Sequence, residues 1–203
     1  YVKIIDFFAL IFEASQPYKN FDKQIIFRLN GVSQTHEGIS IKEKMIPLVK
    51  REPELIHGIR NIVHNALKFS KSHVDINLII NSTKINLEIT DDGKGFPNDI
   101  TNMIGEPFLK KSNFYLMEVK NRRSEEGMGL GLFIANILLE KTNGRLKFSN
   151  IKQIENDGKK RITGAKVEIS WERSSIEVLQ RDKKAKMKAV SYTHLTLPTM
   201  ELV

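Results

Sequence analysis

Ser124-Glu-Glu-Gly127-Met-Gly129-Leu-Gly131-Leu-Phe-Ile-Ala135 sets glycines at alternate positions directly before an apolar segment of helical spacing. Glycine reaches positive φ and lets a ligand come close to the backbone. A helix that starts after such a loop offers free N–H groups and the positive end of its dipole. The stretch therefore reads as a cradle for polyphosphate. A glycine-rich turn can also be a plain helix cap, so its weight comes from what precedes it.

Two further elements stand upstream in order. The first lies on a helix expected over 54–70, where Leu55, Ile59, Ile62, Val63, Ala66 and Phe69 make one apolar stripe. Asn61, Asn65, Lys68 and Phe69 fall at i, i+4, i+7 and i+8 and share a face. Carboxamide oxygens suit Mg²⁺, a lysine supplies a point charge for phosphate, and a phenyl ring offers a flat wall for a base or for the core. Two asparagines one turn apart are poor helix formers and call for a reason.

The second element is Asp91-Asp-Gly93-Lys-Gly95-Phe96, where an alternating strand stops. An ionised aspartate only accepts hydrogen bonds. It can read the exocyclic amino group of adenine and reject a keto group in that place. An Asp-Gly turn alone is common. The ordered set of asparagine helix, Asp-x-Gly-x-Gly after a strand and Gly-x-Gly-x-Gly before a helix is far more specific.

Around these elements, residues 2–15 have helical spacing and look too apolar to stand without a partner helix. Strands are expected over 24–29, 39–44, 74–80, 85–90, 146–150 and 165–171, with a short extended piece over 46–50 and a helix over 130–141 closed by Asn143-Gly144. Residues 105–126 lack periodicity and read as a lid or an unstructured segment.

The chain has 203 residues, a formal net charge of +8 and no cysteine, which rules out disulfides and thiolate metal sites within it. Its lysines are scattered apart from a cluster at Lys183, Lys184, Lys186 and Lys188, so charge alone gives weak grounds for a nucleic-acid partner. The first residue is Tyr1, which leads us to expect missing upstream sequence.

At this point the chain resembles the catalytic ATP-binding domain of sensor histidine kinases, within the gyrase–Hsp90–kinase–MutL superfamily. Asn61-Ile-Val-His-Asn65-Ala-Leu-Lys68-Phe69 is similar to that family's N box, Asp91-Asp-Gly93-Lys-Gly95 to its G1 box, Glu106-Pro107-Phe108 to its F box and Gly127-Met-Gly129-Leu130-Gly131-Leu132 to its G2 box. The glycine loop with Leu138-Leu-Glu140, and Gly164-Ala-Lys-Val-Glu-Ile-Ser-Trp171, further resemble the RegB/PrrB/ActS redox-responsive group.

The resemblance implies a two-layer α/β sandwich, a mixed sheet with helices on one face. It implies ATP and Mg²⁺ as ligands. Asn61 and Asn65 would hold the metal and phosphates, Lys68 would touch phosphate and Phe69 would lie by the nucleotide, where tyrosine is commoner. Asp91 would read adenine. Gly93, Gly95, Gly127, Gly129, Leu130, Gly131 and Leu132 would line the pocket and lid hinge, and Phe108 would anchor the lid. Phe133 and Ala165 depart from the family, which more often has Ser or Thr at the first and Thr at the second.

The implied organisation is the end of a dimerisation helix over 1–17, the ATP-binding domain over 18–172, a basic charged extension over 173–190 and a non-native read-through tail over 191–203. Asn61 stands where hydrolytic cousins carry a glutamate, and an amide cannot act as a general base. Transfer to a protein histidine is therefore expected over hydrolysis. His36, His57, His64 and His73 make poor acceptors by position, so the acceptor is expected on an upstream dimerisation domain of a homodimer, with a response regulator next in the relay. The expected setting is the cytoplasmic side of an inner-membrane sensor. The competing class is a non-catalytic nucleotide-dependent interaction module.

Overall fold

A computed structural model describes residues 3–19, 21–34, 46–97, 129–155 and 158–178. The elements in chain order are β1 (Ile4–Asp6), α1 (Phe7–Ser15), β2 (Gln24–Leu29), β3 (Val32–Gln34), β4 (Leu48–Lys50), α2 (Pro53–Phe69), β5 (His73–Ile80), β6 (Lys84–Asp91), α3 (Gly129–Lys141), β7 (Arg145–Ile154), β8 (Lys160–Glu172) and the single turn α4 (Arg173–Ile176).

The alternation that marks strands in the sequence becomes the two faces of one sheet. Val74, Ile76 and Leu78 of β5, Ile85, Leu87 and Ile89 of β6, and Val167, Ile169 and Trp171 of β8 all point inward and are buried. The residues between them face outward and are polar, with Arg28 paired to Asp75 at 2.6 Å and Lys166 paired to Glu88. Among the described residues the sheet has six strands in the order β3-β2-β5-β6-β8-β7. Of these neighbours β2 and β5 run parallel and the others are antiparallel. Helices α1, α2 and α3 cover the inner face, giving the mixed two-layer sandwich expected from the sequence.

α2 runs 17 residues from Pro53, whose missing N–H costs nothing at a first helical position. Its stripe of Leu55, Ile59, Ile62, Val63 and Ala66 is buried against the sheet. α3 ends as the sequence suggests: Asn143 takes φ +61 and the Gly144 N–H returns to the Leu139 carbonyl at 2.9 Å. Gly144 also lies against the Trp171 indole, which leaves no room for a side chain. Trp171 is 1% exposed, donates to Thr142 Oγ1 at 3.1 Å and meets Phe7 edge-on at 5.3 Å. Burying a side chain of that size contributes about 3 kcal/mol.

The N-terminal expectation needs correction. Residues 4–6 form a strand paired antiparallel with β4, and the helix begins only at Phe7, capped by the Asp6 carboxylate accepting from the Ala9 N–H at 2.7 Å. Phe7, Leu10, Ile11 and Ala14 are fully buried in the same core as α2 and the sheet. The apolar face of this helix is thus covered by α2 and the sheet of the same chain.

The turn after β2 also differs. Asn30 and Gly31 both take positive φ, at 50° and 83°, so the chain reverses at once into β3. The strand expected over 39–44 lies outside the described residues. β7 and β8 run longer than expected, pairing as far as Ile154 and Lys160.

Candidate functional site

Residues of α2, β6, α3 and β8 line a recess that opens to solvent. Its walls are mostly apolar: Ile62, Ala66 and Phe69 from α2, Ile89 from β6, Phe96 just beyond it, Leu132 from α3, and Ala165 and Val167 from β8. Two polar side chains interrupt that lining, Asp91 and Asn65.

Asp91 is the last residue of β6 and only 8% exposed. Its Oδ1 accepts the N–H of Gly93 at 2.8 Å and of Ala165 at 3.3 Å. Its Oδ2 has no hydrogen-bond partner among the described residues. Burial pushes its carboxyl above the ordinary aspartate value, and the two backbone N–H bonds work the other way. A half-paired carboxylate set into an apolar recess has one acceptor left for a ligand that donates.

Asp92 faces elsewhere. It accepts from the N–H groups of Lys71 at 2.7 Å and Ser72 at 3.0 Å and from the Ser72 hydroxyl, at the turn between α2 and β5. These hydrogen bonds hold its carboxyl well below the usual range despite some desolvation. The two adjacent aspartates thus divide into one that lines the recess and one that ties down backbone.

Asn65 projects from the middle of α2. Its Nδ2 is buried without a hydrogen-bond partner among the described residues. The first turn of α3 crowds it: a Cβ on Gly131 would lie 2.9 Å from that nitrogen. Turned half a rotation, the same carboxamide presents its oxygen. Among the described residues no group of three or more His, Cys, Asp or Glu could hold a metal. A hard divalent ion here would bring most of its ligands on a phosphate, and the unpaired amide of Asn65 fits that use.

The other expected site residues divide by position. Phe69, Gly95 and Leu132 line the recess. Gly93 stands behind it, pressed on the Phe69 carbonyl so that a side chain would collide with backbone. Gly131 packs on Asn65 as described, and Gly129 and Leu130 form the start of α3. Asn61 lies one turn before Asn65, half-buried and outside the lining. Lys68 is exposed, its ammonium 5.2 Å from the centre of the Phe69 ring. Phe108, Gly127 and the segment 105–126 lie outside the described residues. Phe133 packs against the core.

Sequence reasoning missed how three residues contribute. Ala165 enters through its backbone N–H, which leaves no mark on residue type. Asn150 on β7 exchanges hydrogen bonds with the backbone of Phe96, receiving its N–H at 2.6 Å and donating to its carbonyl at 3.0 Å. Phe96, so held, meets Phe148 edge-on at 5.8 Å and closes one wall. Gly164 carries the carbonyl of Asp91 where a side chain would be.

Comparison with known proteins bears on the family and the fold. The sequence profile of the family described as histidine kinase-, DNA gyrase B- and HSP90-like ATPase matches residues 50–174. Sensor histidine kinase RegB of Cereibacter sphaeroides is 40% identical over 128 residues, which are 62% of this chain and 27% of that protein. Signal transduction histidine-protein kinase ArlS of Staphylococcus haemolyticus is 27% identical over 131 residues, 62% of this chain and 28% of its own length. The chain thus spans little more than a quarter of these curated relatives. Among solved structures, mycobacterial sensor histidine kinase MprB superposes with a TM-score of 0.57 at 19% identity, covering 88% of this chain and 100% of that one. The nucleotide-free catalytic domain of histidine kinase ThkA gives 0.55 at 16% identity, covering 85% and 96%. At such identities these two establish the fold.

Proposed function

The chain belongs to the histidine kinase-, DNA gyrase B- and HSP90-like ATPase family, and on that footing we propose that it is the ATP-binding catalytic part of a two-component sensor histidine kinase. The observation that carries the reading is the Oδ2 of Asp91, without a hydrogen-bond partner among the described residues and set in a mostly apolar recess. An adenine ring fits such walls edge-in, its exocyclic amino group donating to that oxygen. Guanine would bring a keto oxygen to the same place, where two acceptors repel. The Phe69 ring and the aliphatic groups of Ile89, Leu132 and Val167 supply apolar surface for the base.

The triphosphate would run along α2 toward the start of α3. Asn65, with Asn61 one turn before it, would hold an accompanying Mg²⁺, and Lys68 would meet phosphate from the exposed side. Bound there, the ion would neutralise charge on the phosphate oxygens. The N-terminal turn at Gly129–Gly131 offers backbone N–H groups to anionic oxygen. Phe108 and Gly127 would belong to the covering segment.

In the transfer itself a histidine ring nitrogen on a dimerisation domain attacks the γ-phosphorus and ADP leaves. Catalysis is mainly positioning and charge neutralisation, which suits an amide, Asn61, one turn before Asn65 in place of a carboxylate base. A response-regulator aspartate would then receive the phosphoryl group. The sensor would work as a homodimer at the inner face of a membrane. Among the described residues no helix is long and apolar enough to cross one.

The test supplies a histidine-bearing dimerisation domain in trans with γ-labelled ATP. Acid-labile, base-stable label on that histidine is the expected result. ATP binding without any transfer would favour the non-catalytic interaction module instead.

A further inference from the structure

We infer that Lys23 is a positioning residue for the nucleotide site, acting with Asp92 as a two-sided clamp on the end of α2. The inference rests on the nucleotide-site reading and adds a residue to it.

A helix leaves its last carbonyls without partners in the helix. At the end of α2 the Lys23 ammonium donates to the carbonyls of Leu67 and of the C-cap residue Ser70, each at 2.6 Å, and reaches that of Lys68 at 3.5 Å. A cation is favoured there by the helix dipole as well. Lys23 reaches the place from just ahead of β2, where its neighbour Gln24 donates its N–H to the Ser72 carbonyl at 3.0 Å. From the other side the Asp92 carboxylate receives the N–H groups of Lys71 and Ser72. A cation on carbonyls and an anion on N–H groups thus hold the same short junction between α2 and β5.

What the clamp holds matters to the recess. Phe69 sits between the residues gripped by Lys23, and its ring is a recess wall. Its carbonyl oxygen presses on Gly93 closely enough to exclude a side chain. Gly93 in turn donates to Asp91 Oδ1. Lys23 thus fixes the backbone on either side of Phe69, and from the Phe69 carbonyl direct contacts run through Gly93 to the carboxylate proposed to read the base. Lys23 itself is absent from the recess lining, so it acts through others. Its charge reaches Asp91 too: Lys23 favours the ionised carboxylate and Asp92 opposes it.

A plain helix cap would affect stability alone. A positioning role also alters how well the site tells adenine from guanine. The experiment titrates the full chain with Mg·ATP and Mg·GTP well below the melting temperature of every variant, and measures that temperature for each. Lys23→Met is expected to weaken ATP about tenfold and to shrink the ATP-over-GTP preference by a similar factor. Lys23→Arg, whose guanidinium can donate to the same carbonyls, is expected to stay within about threefold of wild type on both counts. Arg28→Met removes a contact of similar length on the outer face of the sheet and serves as the control, lowering stability with both affinities unchanged.

If Lys23→Met does not fold, Asp92→Asn loosens the clamp from its other side and is expected to shift affinity and preference in the same direction. The inference is overturned if Lys23→Met moves the melting temperature alone. It is equally overturned if Arg28→Met costs as much ATP affinity as Lys23→Met, or if Lys23→Arg fails as badly. A wild-type chain that binds neither nucleotide would instead contradict the nucleotide-site reading, and the inference with it.

Discussion

The carbonyl oxygen of Asp91 occupies the space that a side chain on Gly164 would need. The end of β6 and the middle of β8 therefore touch backbone to backbone, and the neighbouring Ala165 N–H reaches Asp91 Oδ1. The carboxylate owes its place to a missing side chain on another strand.

Gly164→Ala should force these strands apart. The collision is with backbone, which cannot swing aside as a flexible side chain would. We expect a stability loss of about 1–3 kcal/mol in denaturant unfolding, together with weaker ATP binding because Asp91 moves with β6.

Asp91→Asn should separate binding from stability. Burial raises the Asp91 carboxyl above its ordinary 3.8, so the folded state prefers the protonated form. Stability from that preference is full below the ordinary value and is lost as pH rises through the folded one. At neutral pH the ionised carboxylate is thus a burden on folding, and the amide oxygen can still accept from Gly93 and Ala165. The variant should melt no lower than wild type at pH 7 while its ATP affinity collapses. A fall in melting temperature of several degrees would count against the burial argument.

Asp92→Asn should behave oppositely. Its carboxyl is held far below 3.8 by the hydrogen bonds at the α2–β5 turn. The stability it lends is present above 3.8 and lost as pH falls through the lower folded value. The variant should be about 1–2 kcal/mol less stable at pH 7, and the gap to wild type should close as acid unfolding curves are taken below pH 3.8. A gap independent of pH would mean the charge is not what matters there.

Gly131→Ala bears on Asn65. The new methyl would stand 2.9 Å from the Asn65 amide nitrogen, which is the tip of a side chain and can turn away. Alanine in a helix gains up to about 1 kcal/mol over glycine. Stability should hold or rise while Mg·ATP affinity drops, as calorimetry and thermal melts on the same sample would show.

Much of this was readable from residue order because it depends on local pattern. The stripe on α2 and the alternation of β5 and β6 are set by burial on one face, and periodicity reports burial directly. The recess brings Asn65, Phe69, Asp91, Gly95 and Leu132 together as the motifs implied. What escaped depends on distant partners. β1 is three residues long and exists because β4 lies beside it, so Ile4–Asp6 reads as the start of a helix until that partner is seen. Asn150 and Lys23 act on backbone carbonyls and N–H groups, which have the same chemistry at every position. No residue type announces such a target.

The central claim is that the Oδ2 of Asp91 selects adenine. Calorimetric titration of the full chain with Mg·ATP and Mg·GTP, each repeated on Asp91→Asn, tests it most directly. We predict that wild type binds ATP in clear preference to GTP and that Asp91→Asn loses at least about tenfold in ATP affinity. Equal affinity for the two nucleotides in wild type, or an unchanged ATP affinity in Asp91→Asn, would contradict it.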